Sequence, residues 1–299
     1  MTAPAAPPAQ FASAVQPLLS GADSASVRVF APAKINLALT VGPRPAGASF
    51  HPLASVMASV SWADELHMHV CRGPGTTAVA APDVPDGDTL VTRAVGEFLQ
   101  RAELQADVRV SIDKRVPVGA GLGGGSSDAG TALRTLNRLF GEPLSALALC
   151  ETAAAVGSDV PFFALGGYPA VVRGRGELVR MVDWVSERRF TILWPAEHQP
   201  TTAVYGRYVP ARDELPDDCE LQELALAATG TNDLTDAALV GSPRLARVFE
   251  LLHARGAKPL LCGSGSAVAV PEPDEAVRRL LDELAVAFPG ARVADVQTL

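Results

Sequence analysis

Six glycines fall within the fourteen residues from Pro117 to Gly130, "PVGAGLGGGSSDAG", and an apolar-periodic segment follows at once. A loop with so little side chain lets the backbone approach a ligand closely. A helix N-terminus directly behind it offers N–H groups and positive dipole potential. Together these suit an anion, most often phosphate. Spacing excludes two familiar phosphate loops. Gly119, Gly121 and Gly124 match G-x-G-x-x-G, but that motif needs a following strand and an acidic residue about 20 positions on, and here two helical patterns follow instead. A Walker loop needs Lys after its last glycine, and none stands there. What is left is a loop ending in Ser126-Ser127-Asp128 at a helix start, with a plain turn and Ser/Asp helix cap as the alternative.

Two further stretches carry groups able to work on an anion. In "FAPAKINLALTV", strand alternation puts Lys34, Asn36 and Ala38 on one face and Ile35, Leu37 and Leu39 on the other. Lysine is scarce, with only Lys34, Lys114 and Lys258 against twenty-two arginines, so a lysine inside an apolar run stands out. The alternative is an edge strand showing its polar face to water. In "VGSDVPFF", Asp159 lies between a helix end and Pro161; its ordinary use would be an N-cap.

The chain must supply elements to position these groups. With 299 residues, 48% of them apolar, it suits one large domain or two ordinary ones. Strands are expected at Val27–Phe30, Ile35–Val41, Leu53–Trp62, Leu66–Val70 and Val108–Ile112, with a helix from about Thr89 to Arg101. Ala129, Leu133, Leu136 and Phe140 fall at helical spacing, closed by Gly141 and Pro143. A second helix should run from about Leu144 to Val156. Then come strand-like "YPAVV" and "FTILW", a polar stretch "YVPARDELPDDCE", and a helix from about Arg244 to Arg255 opened by Ser242 and Pro243. The last part, "KPLLCGSGSAVAV", "DEAVRRLLDELAVAF" and "ARVADV", reads strand, turn, strand, helix, strand.

Several classes of function are disfavoured. The net charge of -8 leaves no basic footprint for nucleic acid. No uncharged apolar run reaches the roughly 18 residues of a membrane span. The first 26 residues contain no Lys or Arg and read as a disordered Ala/Pro tail rather than a signal or transit peptide. Cys71, Cys150, Cys219 and Cys262 lie far apart, which argues against a zinc site or disulfide framework and for a reduced cytoplasmic setting.

"PAKINL", "FHPL", "PVGAGLGGGSSDAG", "GSDVPFF" and "LLCGSGSAVAV", in that order, resemble the motifs of the GHMP family of small-molecule kinases, from about Val27 to the end of the chain. The glycine loop alone points to the family. "PAKINL", "FHPL" and "GSDVP" point within it to a member whose acceptor is a cytidine diphosphate-linked methylerythritol. The resemblance implies an α+β fold of two domains: a ribosomal protein S5 domain 2-like ATP-binding domain over 27–182 and a ferredoxin-like domain over 183–299, with the site in the cleft between them. It implies that Pro117, Gly119, Gly121, Leu122, Gly123, Gly124, Gly125, Ser126 and Ser127 surround the ATP phosphates, bridged by Mg2+, with no metal-ligating residue assigned. Lys114 matches a family lysine near the adenine. Asp159 resembles the catalytic base, touching the acceptor hydroxyl, and Lys34 its cationic partner. For the acceptor, the resemblance implies Asn36, His51 on the cytosine, Phe50 where Tyr is usual, Tyr205 as a second aromatic wall, and Gly263 and Ser264 in the last glycine turn. Thr89-Leu90 replaces the usual Asn-Leu, and Cys262 stands where Ser or Thr is usual. Homoserine or a mevalonate derivative as acceptor, and a nucleotide-binding regulator without chemistry, are the rival readings; a silent binder has no need of both Lys34 and Asp159.

Overall fold

The computed structural model describes residues 24–81, 89–227 and 230–299. Most of the expected Ala/Pro tail, residues 1–23, lies outside the described residues, and Ser24, Ala25 and Ser26 already belong to the first strand. The fold is α+β, and the chain divides into two compact units that interleave in sequence. Of the described residues, one holds those up to Ala33, Ala63–Val116 and Gly124–Tyr168; the other holds those in Lys34–Trp62, Pro117–Gly123 and Pro169–Leu299.

Two long strands contribute to both units. β1 runs Ser24–Val41 and β2 runs Leu53–Arg72, where the sequence pattern predicts two short strands each. The pattern breaks at Pro32 in β1, but a fixed φ near −65° is compatible with extended backbone. It breaks at Asp64-Glu65 in β2, yet both residues are buried. Their carboxylates are satisfied by hydrogen bonds, so charge does not end the strand.

In the first unit, β3 (Thr77–Ala80) pairs in parallel with β4 (Ala106–Asp113), which pairs antiparallel with β2 in the register Leu66↔Ile112 and Val70↔Val108. Burial alternates along β4, so Ala106, Val108, Val110 and Ile112 face the core. The helices α1 (Thr89–Arg101), α2 (Gly124–Leu139), α3 (Ala146–Val156) and α4 (Val160–Ala164) supply Val91, Val95, Phe98, Leu133, Leu136, Val156 and Val160 to that core. α2 and α4 approach closely at Gly130, where a Cβ would sit 2.6 Å from Phe163 Cβ and 2.9 Å from Val160 O. Only a hydrogen atom fits there, and this sets α4, with Asp159 at its head, against α2.

In the second unit, β5 (Ala170–Gly174) pairs antiparallel with the first half of β2 and with β6 (Leu178–Met181). A separate four-stranded antiparallel sheet, ordered β11-β7-β10-β9, is built from β7 (Arg189–Trp194), β9 (Leu260–Leu261), β10 (Val268–Pro271) and β11 (Arg292–Gln297). Between β7 and β9 lie α5 (Thr201–Arg207), α6 (Asp218–Leu226), β8 (Thr231–Asn232), α7 (Thr235–Gly241) and α8 (Pro243–Ala254). α6 starts inside the polar stretch "YVPARDELPDDCE", with Asp217 capping it by accepting from Glu220 N. Ser242 caps α8 as expected, with Pro243 in the first turn. α9 (Glu275–Ala287) buries Val277, Leu280, Leu281 and Leu284, one apolar stripe packed in the same core as Leu193, Leu245 and Val268. β8 pairs in parallel with the last part of β1 at Ala38↔Thr231 and Leu39↔Asn232, so β1 is not the edge strand of its sheet. No described helix is long and apolar enough to cross a membrane.

Candidate active site

Lys34 and Asn36 are 4% and 3% exposed, so the alternative of a polar strand face turned to water is wrong. β1 lies between β2 and β8 rather than at an edge. Buried polar groups need partners, and here they form a directed series. Lys34 Nζ donates to Asn36 Oδ1 (2.8 Å), Asn36 Nδ2 donates to Ser55 Oγ (2.8 Å), and Ser55 Oγ donates to Ala38 O (2.6 Å). The amide orients the ammonium, and the series ends on backbone.

The glycine loop is tied to this strand. Lys34 N donates to Leu122 O (2.9 Å), and Leu122 is buried, as is Pro117. The turn between β9 and β10 joins through Ala267 N to Ala120 O (3.0 Å). Gly121 has φ +79°, and a Cβ there would lie 1.9 Å from Cys262 O, so both conformation and space demand glycine. A Cβ on Gly263 would lie 2.7 Å from Gly121 O and 3.3 Å from Lys34 Nζ. Lys34, the loop around Gly121 and the Gly263 turn thus meet in one place in the second unit, with Gly119 and Gly123 in the same loop. Burial pushes the Cys262 thiol up to about 12, against the pull of the Lys34 charge, so it is neutral at physiological pH and is no nucleophile. Ser264 Oγ hydrogen-bonds Thr201 Oγ1 (3.0 Å) at the head of α5.

Gly124, Gly125, Ser126 and Ser127 form the first turn of α2, in the first unit. The first N–H groups of a helix have no acceptor within it, which suits an anion. Ser127 is buried and its hydroxyl donates to Pro32 O (2.6 Å), while Ser126 is half-buried. Lys114 is buried between Asp64 and Asp128, at 2.6 and 2.7 Å. Asp159 is half-buried at the head of α4, and its side chain makes no cap bond to that helix, so the ordinary capping use does not account for it.

The aromatic residues expected at the acceptor lie in the second unit. His51 is half-buried and its Nδ1 bonds Gly42 O (2.9 Å). Its ring centroid is 6.1 Å from Tyr205 and 5.7 Å from Tyr208. Tyr205 lies on α5 and stands beside His51. Phe50 is 43% exposed, with the Arg175 guanidinium over its ring.

Three residues that the sequence reading passed over also shape the site. Tyr208 adds a third ring, held by its hydroxyl donating to Val41 O (2.6 Å). Asn232 donates to both Leu261 O (2.8 Å) and Gly263 O (2.7 Å), fixing the last glycine turn. His198 packs on Gly119, where a Cβ would be 2.0 Å from its Nδ1. Only Tyr208 had a signal, one helical turn after Tyr205; Asn232 and His198 act through contacts with residues far away in sequence.

Comparison with known proteins adds to this geometry. Residues 89–167 match the family model described as the GHMP kinases N terminal domain. The 4-diphosphocytidyl-2-C-methyl-D-erythritol kinase of Persephonella marina is 34% identical over 264 residues, 83% of this chain and 93% of the relative. That of Desulfotalea psychrophila is 37% identical over 248 residues, 80% and 83% of the two chains. A crystal structure of 4-(cytidine 5'-diphospho)-2C-methyl-D-erythritol kinase superposes with a TM-score of 0.73 at 32% identity, covering 90% of this chain and 99% of that one.

Proposed function

The chain belongs to the GHMP kinase family, and from that premise we propose that it transfers the γ-phosphoryl group of ATP to the 2-hydroxyl of 4-diphosphocytidyl-2-C-methyl-D-erythritol, a step of the non-mevalonate route to isoprenoid precursors. The observation that carries this reading is the extent of likeness to relatives of that name: a third of positions or more over at least four-fifths of each of them. In this reading, residues 27–182 bind the nucleotide and 183–299 complete the enzyme.

Phosphoryl transfer asks a protein for positioning, for neutralisation of phosphate oxygens, and for a base on the attacking hydroxyl. Backbone N–H groups of Gly121, Gly123, Gly124, Gly125, Ser126 and Ser127 meet the phosphates, within a loop that also includes Pro117, Gly119 and Leu122. Among the described residues, no group of three or more His, Cys, Asp or Glu could hold a metal. Magnesium would arrive on the nucleotide, since Mg2+ keeps several waters and binds through substrate phosphates with few protein ligands. Asp159 takes the proton of the acceptor hydroxyl. Lys34, oriented by Asn36, stabilises the alkoxide and the phosphoryl oxygens.

Acceptor choice follows from His51. Gly42 O can only accept, so Nδ1 carries the hydrogen of that bond and Nε2 is left to meet the exocyclic amine of cytosine. Tyr205 and Phe50 offer faces for the pyrimidine, and Asn36, Gly263 and Ser264 lie toward the methylerythritol and its phosphates. The free cysteines fit a reducing cytoplasm, and the acidic chain fits a small-molecule partner rather than nucleic acid.

The test is ATP consumption by the purified chain with Mg2+ and the cytidylated acceptor, with homoserine and mevalonate as controls. Turnover with the cytidylated acceptor alone is expected. Turnover with a control instead would keep the kinase and replace its substrate.

A further inference from the structure

The residues on either side of the glycine loop carry a buried ion cluster that phosphoryl transfer as described does not use. Asp64 Oδ1 accepts from Arg115 N (2.6 Å) and Val116 N (2.7 Å), the last residues before Pro117. Its Oδ2 accepts from Lys114 Nζ (2.6 Å), which also donates to Asp128 Oδ2 (2.7 Å) in α2. The Asp64 and Asp128 side chains are 0% exposed and that of Lys114 is 5%. Next in β2, Glu65 holds the Arg115 guanidinium (2.9 Å). A Cβ on Gly124 would lie 3.4 Å from Lys114 Nζ, so the ammonium sits directly against the start of α2. The incoming stem, 114–116, and the outgoing stem, 124–128, are therefore joined through one ammonium.

Burying two carboxylates with one ammonium is costly, and hydrophobic residues of similar shape often stabilise as well or better. Burial pulls the Lys114 pKa down, but the charges and hydrogen bonds of Asp128 and Asp64 more than offset this, so the ammonium form is secured. Such a cluster gives geometry: a rigid, directional connection between two backbone segments that must hold N–H groups at fixed places.

We propose that Asp64, Lys114 and Asp128 form a clamp that sets the spacing of the two stems of the glycine loop, so that Lys114 is a positioning residue acting on ATP through the loop backbone. The proposal rests on the reading of that loop as the ATP phosphate site. It departs from the adenine contact implied for Lys114 by resemblance, because Asp64 and Asp128, whose side chains are fully buried, should then matter as much as Lys114.

Calorimetric titration of the full chain with MgATP, with adenosine and with the cytidylated acceptor tests it, using the near-isosteric Asp64→Asn and Asp128→Asn beside Lys114→Met. Each is expected to weaken MgATP by about tenfold or more, since small displacements of positioning groups cost that much. Adenosine and acceptor affinity should stay within about twofold, and Asp64→Asn with Asp128→Asn should lose little more than either alone, as members of one unit do. MgATP affinity kept in both Asn variants, or an adenosine loss confined to Lys114→Met, would overturn the clamp. Hydrogen exchange on the unmutated protein covers variants that do not fold. Arg115 and Val116 amides should be protected before nucleotide is added, and protection arising only with MgATP would overturn the clamp. A clamp-dependent MgATP affinity without phosphoryl transfer would sink the proposed function and leave the clamp standing; transfer with unaltered variants would do the reverse.

Discussion

Lys34 and Lys114 are both buried lysines, yet the hydrogen bonds that place them differ in kind. In the second unit, Lys34 Nζ donates to a neutral amide and lies near a neutral thiol. In the first, Lys114 Nζ is held by two carboxylates. An amide two residues away orients an ammonium along its own strand, whereas two carboxylates on different elements tie one between separate backbone segments. The difference separates a lysine positioned within one strand from one that joins separate segments. Burial alone, nearly the same for both, does not separate them.

Exchanging each lysine for methionine is the strongest way to break that comparison. Lys34→Met should lower kcat by about 10²- to 10⁴-fold, the range for a lost proton-transfer or charge-stabilising partner. Lys114→Met leaves two buried carboxylates facing each other and should cost about 3–5 kcal/mol of stability, read as a shift in the urea midpoint. Equal loss of stability in the two variants, with equal loss of kcat, would erase the distinction.

A smaller effect sharpens the contrast from the acceptor side. His51→Ala should raise KM for the cytidylated acceptor by about tenfold, the value of a hydrogen bond and a ring contact, with KM for ATP unchanged. A change in both constants would place His51 in the support of the loop instead of at the pyrimidine.

The smallest effect concerns the ion network beside the clamp. The hydrogen bond from Arg28 is the main cause that lowers the Glu65 carboxyl from 4.5 to about 2; burial opposes it, and the charges of Arg28, Arg115 and His67 add to it. A carboxyl with a depressed folded value contributes stability above its unfolded value and loses it as pH falls through the folded one. The Glu65 contribution is therefore whole above pH 4.5 and gone once pH falls below about 2. Urea midpoints across that window should fall less steeply with acid in Glu65→Gln than in the unmutated chain. Parallel curves would assign the acid sensitivity to other carboxylates.

Much of the site was legible because its signals are local. The glycine loop and helix α2 could be read from Gly119 to Phe140, since glycine density and helical periodicity are properties of neighbouring residues. The Ser242-Pro243 helix start was legible for the same reason. Alternation set Lys34 and Asn36 on one strand face but could not say what that face met, because only β8, nearly two hundred residues later, decides whether β1 is an edge. Asp64 broke a strand pattern and so hid its own importance. Its partners, Lys114 and the amides of Arg115 and Val116, are fifty residues away, and single-sequence periodicity cannot see them.

The sequence by itself determined the kinds of groups present: a side-chain-free loop before a helix, a lysine and an amide two apart on a strand, an aspartate ahead of a proline. Residue type and short spacing control these through sterics and backbone geometry. Tertiary structure alone decided that Gly121 lies against Cys262 O, that Tyr205 and Tyr208 flank His51, and that Lys114 is shared by two carboxylates. Each of these depends on distances between segments far apart in the chain, and such distances are set by packing of whole cores.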